Sequence, residues 1–248
     1  MKPMLAQLYS SQDVSGWWMS EKLDGVRAIW AGNRFESRNG NTFAVPSWFT
    51  TGLPPIPLDG ELYIGRHKFQ QTVSTVRKKV PIDKEWNAIY YYVFDAPISG
   101  PFETRLAFIN TLTANRLIQL PYIICQNQDH LGLVFQQLVS LGAEGVMLRR
   151  PQSLYEHRRS SALLKYKAMN SDEAIVVAYQ SGEGKYIDKV GALICRWQNK
   201  IIKVGTGLSD AERQLPPPIG SQVSFSYQGL TDNKLPRFPV FVAIRNYE

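Results

Sequence analysis

Over residues 17–43 apolar and polar positions alternate, and the alternation is cut by two clusters suited to turns, Ala31-Gly32-Asn33 and Asn39-Gly40-Asn41. Runs this short, with period two and Gly/Asn between them, leave no room for a helix and predict a β-meander. Two more strand-length runs follow at residues 57–64 and 88–94. Helical spacing then enters at residues 69–79, at 103–117 and most clearly at 130–141. There Leu131, Val134, Phe135, Leu138 and Leu141 make one apolar face, and Gly142 stands where a helix stops. Strand-like runs return at residues 145–149 and 162–166.

The character changes at residues 168–172, read here as a linker that divides the chain into residues 1–169 and 170–248. Beyond it five strand candidates (173–179, 190–197, 200–204, 222–227 and 238–244) are interrupted by a short polar helix at 209–214 and the loop Pro216-Pro217-Pro218. Five short strands in so little chain suit a small Greek-key barrel of the OB type, a fold that often holds nucleic acid, although other small barrels fit the same pattern. The fold expected is therefore α+β, with helices flanking antiparallel sheets and a β-barrel after them.

Charge points to the class of partner. Lys and Arg number 28 against 21 Asp and Glu, a formal net charge of +7 that favours an anionic partner such as nucleic acid, nucleotide or membrane surface. Only Cys125 and Cys195 are present, each inside an apolar run, which leaves neither a zinc pattern nor a disulfide framework and predicts buried free thiols. No apolar stretch is long enough to span a bilayer, and the opening MKPMLAQLYSS lacks the apolar core of a secretory signal. A soluble protein is expected, periplasmic if a leader has been removed and cytoplasmic otherwise.

Within the first strand-like run stands Glu21-Lys22-Leu23-Asp24-Gly25-Val26-Arg27, two cations and two carboxylates around a glycine. Strand alternation turns Lys22 and Asp24 to one face and Glu21 and Leu23 to the other, and Gly25 permits a bend. Alone, Lys-x-Asp-Gly also describes an exposed hairpin turn. Similar constellations follow in order: Ser37-Arg38-Asn39-Gly40, Leu58-Asp59-Gly60-Glu61-Leu62, Val93-Phe94-Asp95, Glu144-Gly145-Val146-Met147 and Leu164-Lys165-Tyr166-Lys167. Taken singly, the third is a turn into a strand, the fifth a helix-to-strand joint and the last a solvated strand edge. Six in one order are hard to explain that way.

The series resembles the covalent nucleotidyltransferases, and within them the ATP-dependent DNA ligases of the minimal bacterial type, whose members often carry a secretory leader. The resemblance covers the adenylation-type domain end to end and implies an OB-fold domain after it. It implies that Lys22 is the nucleophile, attacking the α-phosphate of ATP to give a lysyl-AMP. Arg27 and Arg38 would hold ribose and phosphate, Glu61 the ribose or a metal, and Phe94 would stack on adenine, although Phe94 reads equally well as core. Glu144 would serve a metal site, Lys165 and Lys167 would grip the α-phosphate, and Glu21 with its neighbouring backbone would read the adenine edge. The implied cofactors are ATP and Mg²⁺, with Mn²⁺ able to substitute. The implied partner is nicked double-stranded DNA, held by a monomer that makes no membrane contact.

The chemistry agrees with these residue types. A free lysine, with a pKa of about 10.4, is almost wholly protonated at neutral pH, so neighbouring cations at Lys165, Lys167 and a metal would favour the reactive amine. Phosphoryl transfer asks mainly for placement and charge neutralisation, which accounts for lysines and arginines gathered on one phosphate. Glu61 and Glu144 offer the hard oxygens that Mg²⁺ takes one or two at a time. One departure stands out: an Arg-x-Asp-Lys element, which ends the barrel in many relatives, is missing. The corresponding end reads Pro236-Arg237-Phe238-Pro239-Val240-Phe241-Val242-Ala243-Ile244-Arg245, leaving Arg237 or Arg245 to meet the pyrophosphate or DNA. The rival readings are an RNA ligase or GTP-using capping enzyme, separable by nucleotide choice, and a non-catalytic nucleic-acid-binding protein, which should have lost Lys22 or a supporting carboxylate.

Overall fold

The computed structural model describes residues 2–227, 229–231 and 233–245. The chain divides into two compact units, Met1–Lys167 and Ala168–Glu248. The first holds strands β1 (Leu5–Leu8), β2 (Trp18–Lys22), β3 (Val26–Trp30), β4 (Phe35–Ser37), β5 (Leu58–Tyr63), β6 (Tyr90–Asp95), β7 (Leu117–Gln119), β8 (Ile123–Ile124), β9 (Gly145–Arg149) and β10 (Arg159–Lys167). Its helices are α1 (Phe69–Val76), α2 (Asp83–Trp86), α3 (Phe102–Asn110) and α4 (Gln128–Ser140).

These strands make two five-stranded sheets, ordered β1-β10-β9-β2-β8 and β4-β3-β5-β6-β7. Most pairs are antiparallel as expected, but β1 runs parallel to β10 and β7 parallel to β6, so both sheets are mixed. The meander expected over residues 17–43 is split between them. Lys22 pairs with Gly145 in one sheet, whereas Val26 pairs with Leu62 in the other. The crossing occurs at Leu23-Asp24-Gly25, and a Cβ on Gly25 would overlap the Leu62 carbonyl oxygen, so the glycine is what lets the two sheets approach there.

The helix expected over 103–117 stops at Asn110, and Leu117 instead pairs with Tyr91 at a sheet edge. Helix α4 turns Leu131, Val134, Phe135 and Leu138 to the core as its spacing predicts, but Leu141, past its last turn, is exposed; Asn127 caps the helix by accepting from the His130 amide at 2.8 Å, and Gly142, at φ +88°, follows its end. Its Phe135 stacks on Tyr166 with ring centroids 3.9 Å apart. This locks α4 against the sheet that carries Lys22 and Lys167.

The second unit contains β11 (Asn170–Ser181), β12 (Val190–Trp197), β13 (Lys200–Val204), β14 (Gln222–Tyr227) and β15 (Val240–Arg245), with α5 (Asp210–Gln214) between β13 and β14. The expected linker is shorter than residues 168–172, because β11 begins at Asn170 and Asp172 accepts from the Trp197 indole at 2.8 Å. All four neighbouring pairs are antiparallel in the order β13-β12-β11-β14-β15. The sheet is open, not a closed barrel; its ends meet through the single bridge Thr206–Val240 among the described residues. Val176, Leu193, Cys195, Val204, Val223 and Phe225 form its core. Both cysteines are buried free thiols.

Candidate active site

A cavity of about 310 Å³ in the first unit is lined by Glu21, Lys22, Arg27, Arg38, Glu61, Phe94, Lys165 and Lys167. Strands of both sheets supply these side chains: Lys22 ends β2, Arg27 lies on β3, Glu61 on β5, and Lys165 and Lys167, two apart on β10, share a face by alternation. Leu164 faces the opposite way and is fully buried.

Glu144 sits between the cations. Its carboxylate pairs with the Lys22 ammonium through Oε2 and with Lys167 Nζ through Oε1 at 2.7 Å. Burial pushes the Glu144 carboxyl up, but Lys22 and Lys167 outweigh it and hold the group below the usual carboxylate range. Burial, followed by neighbouring cations, lowers Lys165 and Lys167. Arg27 is anchored from behind by the fully buried Asp59, with Nε to Oδ1 at 3.0 Å and Nη2 to Oδ2 at 2.5 Å. Burial works to lower the guanidinium, and Asp59 reverses that and raises it. The Tyr155 hydroxyl donates to the same carboxylate at 2.6 Å. Arg27 also lies over the Phe94 ring, 5.4 Å from its centroid.

Glu61 behaves oppositely to Glu144. Loss of solvent pushes its carboxyl up to about 8, against the pull of Lys22 and Arg27. Two carboxylates near the same Lys22 are thus shifted in opposite directions, Glu61 up by loss of solvent and Glu144 down by its two lysines. Among the described residues no group of three or more His, Cys, Asp or Glu gathers to hold a metal. A cation here would find two protein carboxylates and complete its shell with water and phosphate oxygens, which is how Mg²⁺ binds.

Residues 3–167 match a family profile described as ATP dependent DNA ligase domain, and residues 181–245 one described as DNA ligase OB-like domain. A DNA ligase of Haemophilus influenzae is 36% identical over 246 residues, covering 96% of this chain and 90% of the relative. The chain belongs to the ATP-dependent DNA ligases. Among solved structures, one from a structure–function study of DNA binding by Lig E DNA ligases with a minimal scaffold is 34% identical, covers 99% of each chain and superposes with a TM-score of 0.92. The Chlorella virus DNA ligase-adenylate is 26% identical over 100% of this chain and 99% of its own, with a TM-score of 0.58. The fold is therefore a nucleotidyltransferase domain followed by an OB-like domain, and the enzyme uses ATP to join DNA.

Other residues of this ligase enter the cavity without having been singled out. Met147 and Arg149 alternate on β9 with the fully buried Val146 and Leu148, so their direction was readable from period two. Tyr122 and Arg159 also line it, and no local pattern marks them. The Glu21 carboxylate is taken by Arg66, with Nε to Oε1 at 2.9 Å and Nη2 to Oε2 at 2.7 Å. Arg237 and Arg245 lie in the second unit: Arg237 faces the Phe238 ring at 5.6 Å, and Arg245 Nε is 3.3 Å from Glu173. No helix among the described residues is long and apolar enough to cross a membrane.

Proposed function

We propose that this ligase seals nicks in duplex DNA as a monomer, through a lysyl-AMP on Lys22, with residues 1–169 as the adenylation domain and 170–248 as the OB-fold domain. The observation that carries the reading is the Lys22–Glu144–Lys167 bridge on a cavity ringed by further cations. Leaving Glu144, the Lys22 ammonium gives up one proton to solvent, and the free amine attacks the α-phosphorus of ATP. The P–N bond forms as the bond to pyrophosphate breaks, and the amine's proton passes to a neighbouring base, for which the Glu144 carboxylate is at hand. A 5′-phosphate oxygen of the nick then attacks the same phosphorus, and Lys22 leaves with its electron pair. The 3′-hydroxyl finally attacks the 5′-phosphorus and expels AMP.

Arg27, stiffened by Asp59, and Arg38 hold the ribose and phosphate side, Phe94 offers its ring to adenine, and Lys165 and Lys167 take the α-phosphate charge that grows in the transition state. The backbone around Glu21 meets the adenine edge. Glu61 and Glu144 would hold Mg²⁺, or Mn²⁺ in its place, which supplies charge neutralisation at the phosphates when bound. Arg237 and Arg245 are the candidates for pyrophosphate or DNA contact. The net charge of +7 fits a clamp that grips backbone phosphates and reads little sequence.

The test is intact mass after incubation with Mg²⁺ and ATP, or with GTP, on protein first stripped with pyrophosphate. An AMP adduct on wild type, absent from Lys22→Ala, supports the reading. An adduct on both variants removes Lys22 from the mechanism, and one formed from GTP alone removes ATP. Sealing of nicked DNA against nicked RNA then tests the substrate.

A further inference from the structure

Glu21 and Lys22 are neighbours on β2, so alternation sends their side chains to opposite faces. Lys22 is the last residue of the strand, and its pairing with Gly145 is the final rung of that ladder. What fixes the strand end is on the other face, where Arg66 grips Glu21 with two parallel bonds. The same guanidinium donates through Nη1 to the Leu141 carbonyl at 3.3 Å, at the end of α4. Leu141 leads directly through Gly142 and Ala143 to Glu144. His67, next to Arg66, is also seated there: a Cβ on Gly142 would overlap its ring. One short loop therefore touches both segments whose next charged residues, Lys22 and Glu144, form an ion pair, with Lys22 on the cavity wall.

A bidentate guanidinium–carboxylate pair fixes direction as well as distance, which a point-charge ammonium does not. Its Arg66 and Glu21 side chains are 32% and 19% exposed, so the pair adds little to global stability. Its leverage is on geometry, where a displacement of about 1 Å at a reacting centre can cost ~10²-fold in rate.

We propose that Arg66 is a positioning residue for adenylation: by clamping Glu21 to the Leu141 carbonyl it sets Lys22 against Glu144. Glu21 then acts through Arg66, and its carboxylate does not recognise the nucleotide. This deepens the proposed lysyl-AMP chemistry and rests on it.

The experiment follows AMP-adduct formation by intact mass over a range of ATP concentrations for wild type, Arg66→Ala, Arg66→Lys, Glu21→Gln and the Glu21→Gln/Arg66→Ala double variant. Rates are normalised to the folded fraction by circular dichroism. The expected result is a loss of about 10- to 100-fold in the rate at saturating ATP for Arg66→Ala, with half-saturation within about twofold of wild type. Arg66→Lys should recover part of the loss, and the double variant should be no slower than the slower single one. The proposal is overturned if Arg66→Ala matches wild type, if the loss lies in ATP half-saturation alone, or if it vanishes on normalisation to folded protein. If Arg66→Ala does not fold, Arg66→Lys and Glu21→Gln carry the same decision. A wild type that forms no adduct overturns the lysyl-AMP reading and this inference together, whereas a normal wild type with an unaffected Arg66→Ala overturns only the inference.

Discussion

Two places in the first unit set one carboxylate between two cations, and they behave as opposites. Asp95 lies between Arg105 and Arg149: Arg105 Nε reaches Oδ1 at 2.7 Å, Arg149 Nη2 reaches Oδ2 at 2.6 Å, and the side chains are 0–2% exposed. Arg105 further donates to the Gly100 and Ser153 carbonyls. Glu144 lies between Lys22 and Lys167, but there the side chains are 10–19% exposed beside an open cavity. In the buried cluster the Arg105 fork spends its donors on fixed acceptors, while Arg149, on the cavity wall, reaches Asp95 through Nη2 alone and its buried Nε has no partner among the described residues. The open one uses flexible ammonium groups that can exchange Glu144 for a phosphate. The same charge pattern is thus fully buried and held by an arginine fork at Asp95, and partly exposed and made of single lysine contacts at Glu144.

The largest expected effect tests the open cluster. Lys22→Ala should abolish the AMP adduct, and Glu144→Gln should slow its formation by about 10²–10³-fold, the order seen when a preorganised polar group is lost from a transition state. Glu144→Gln should cost only ~1–2 kcal/mol in urea unfolding, since the freed lysines can turn towards water. If Glu144→Gln unfolds the enzyme instead, the two clusters are alike and the contrast is broken.

Asp95→Ala comes next. It strands two buried guanidinium groups, and removing one partner of such a cluster costs about 3–5 kcal/mol. The urea midpoint should fall accordingly, and an unchanged midpoint would show that Asp95 is not a strut. A smaller effect follows from exchanging cation types. Arg105→Lys loses the fork and should cost ~1–3 kcal/mol as buried acceptors go unmet. Lys167→Arg should leave stability within about 1 kcal/mol, because its site is open, and slow adduct formation instead. Parallel urea titrations and adduct time courses on the two variants would sharpen the contrast or reverse it.

What the sequence made legible follows the range of the interactions involved. Lys165 and Lys167 share one strand, and local alternation alone turns them to one side. The apolar stripe of α4 and the stop at Gly142 are equally local. The division of residues 17–43 between two sheets is not, because it is decided by Gly145 pairing with Lys22 and Leu62 pairing with Val26. The Asp95 strut escaped for the same reason: Asp95 belonged to a quoted motif, but its partners Arg105 and Arg149 come from α3 and β9. Arg66 carried no signal, since a lone arginine after a strand reads as solvated surface until Glu21 is seen beside it.

The last prediction concerns the pH dependence of stability at Glu61, which shares Lys22 with Glu144 but whose carboxyl is pushed up to about 8 by loss of solvent. In the unfolded chain a glutamate releases its proton near pH 4.3. Between those values the folded enzyme binds a proton that the unfolded chain does not, so this group's contribution to stability is fully present below the unfolded pKa and is lost as pH rises towards 8. The slope is at most ~1.4 kcal/mol per pH unit and flattens above the folded pKa. Urea titrations of wild type and Glu61→Gln from pH 5 to 9, with chelator present, isolate the effect: the difference between the two should run against wild type with rising pH and level off near pH 8. A difference that stays constant with pH would mean that Glu61 is ionised in the folded enzyme. The carboxylates around Lys22 would then carry like charge, and the division of protonation between Glu61 and Glu144 would have to be abandoned.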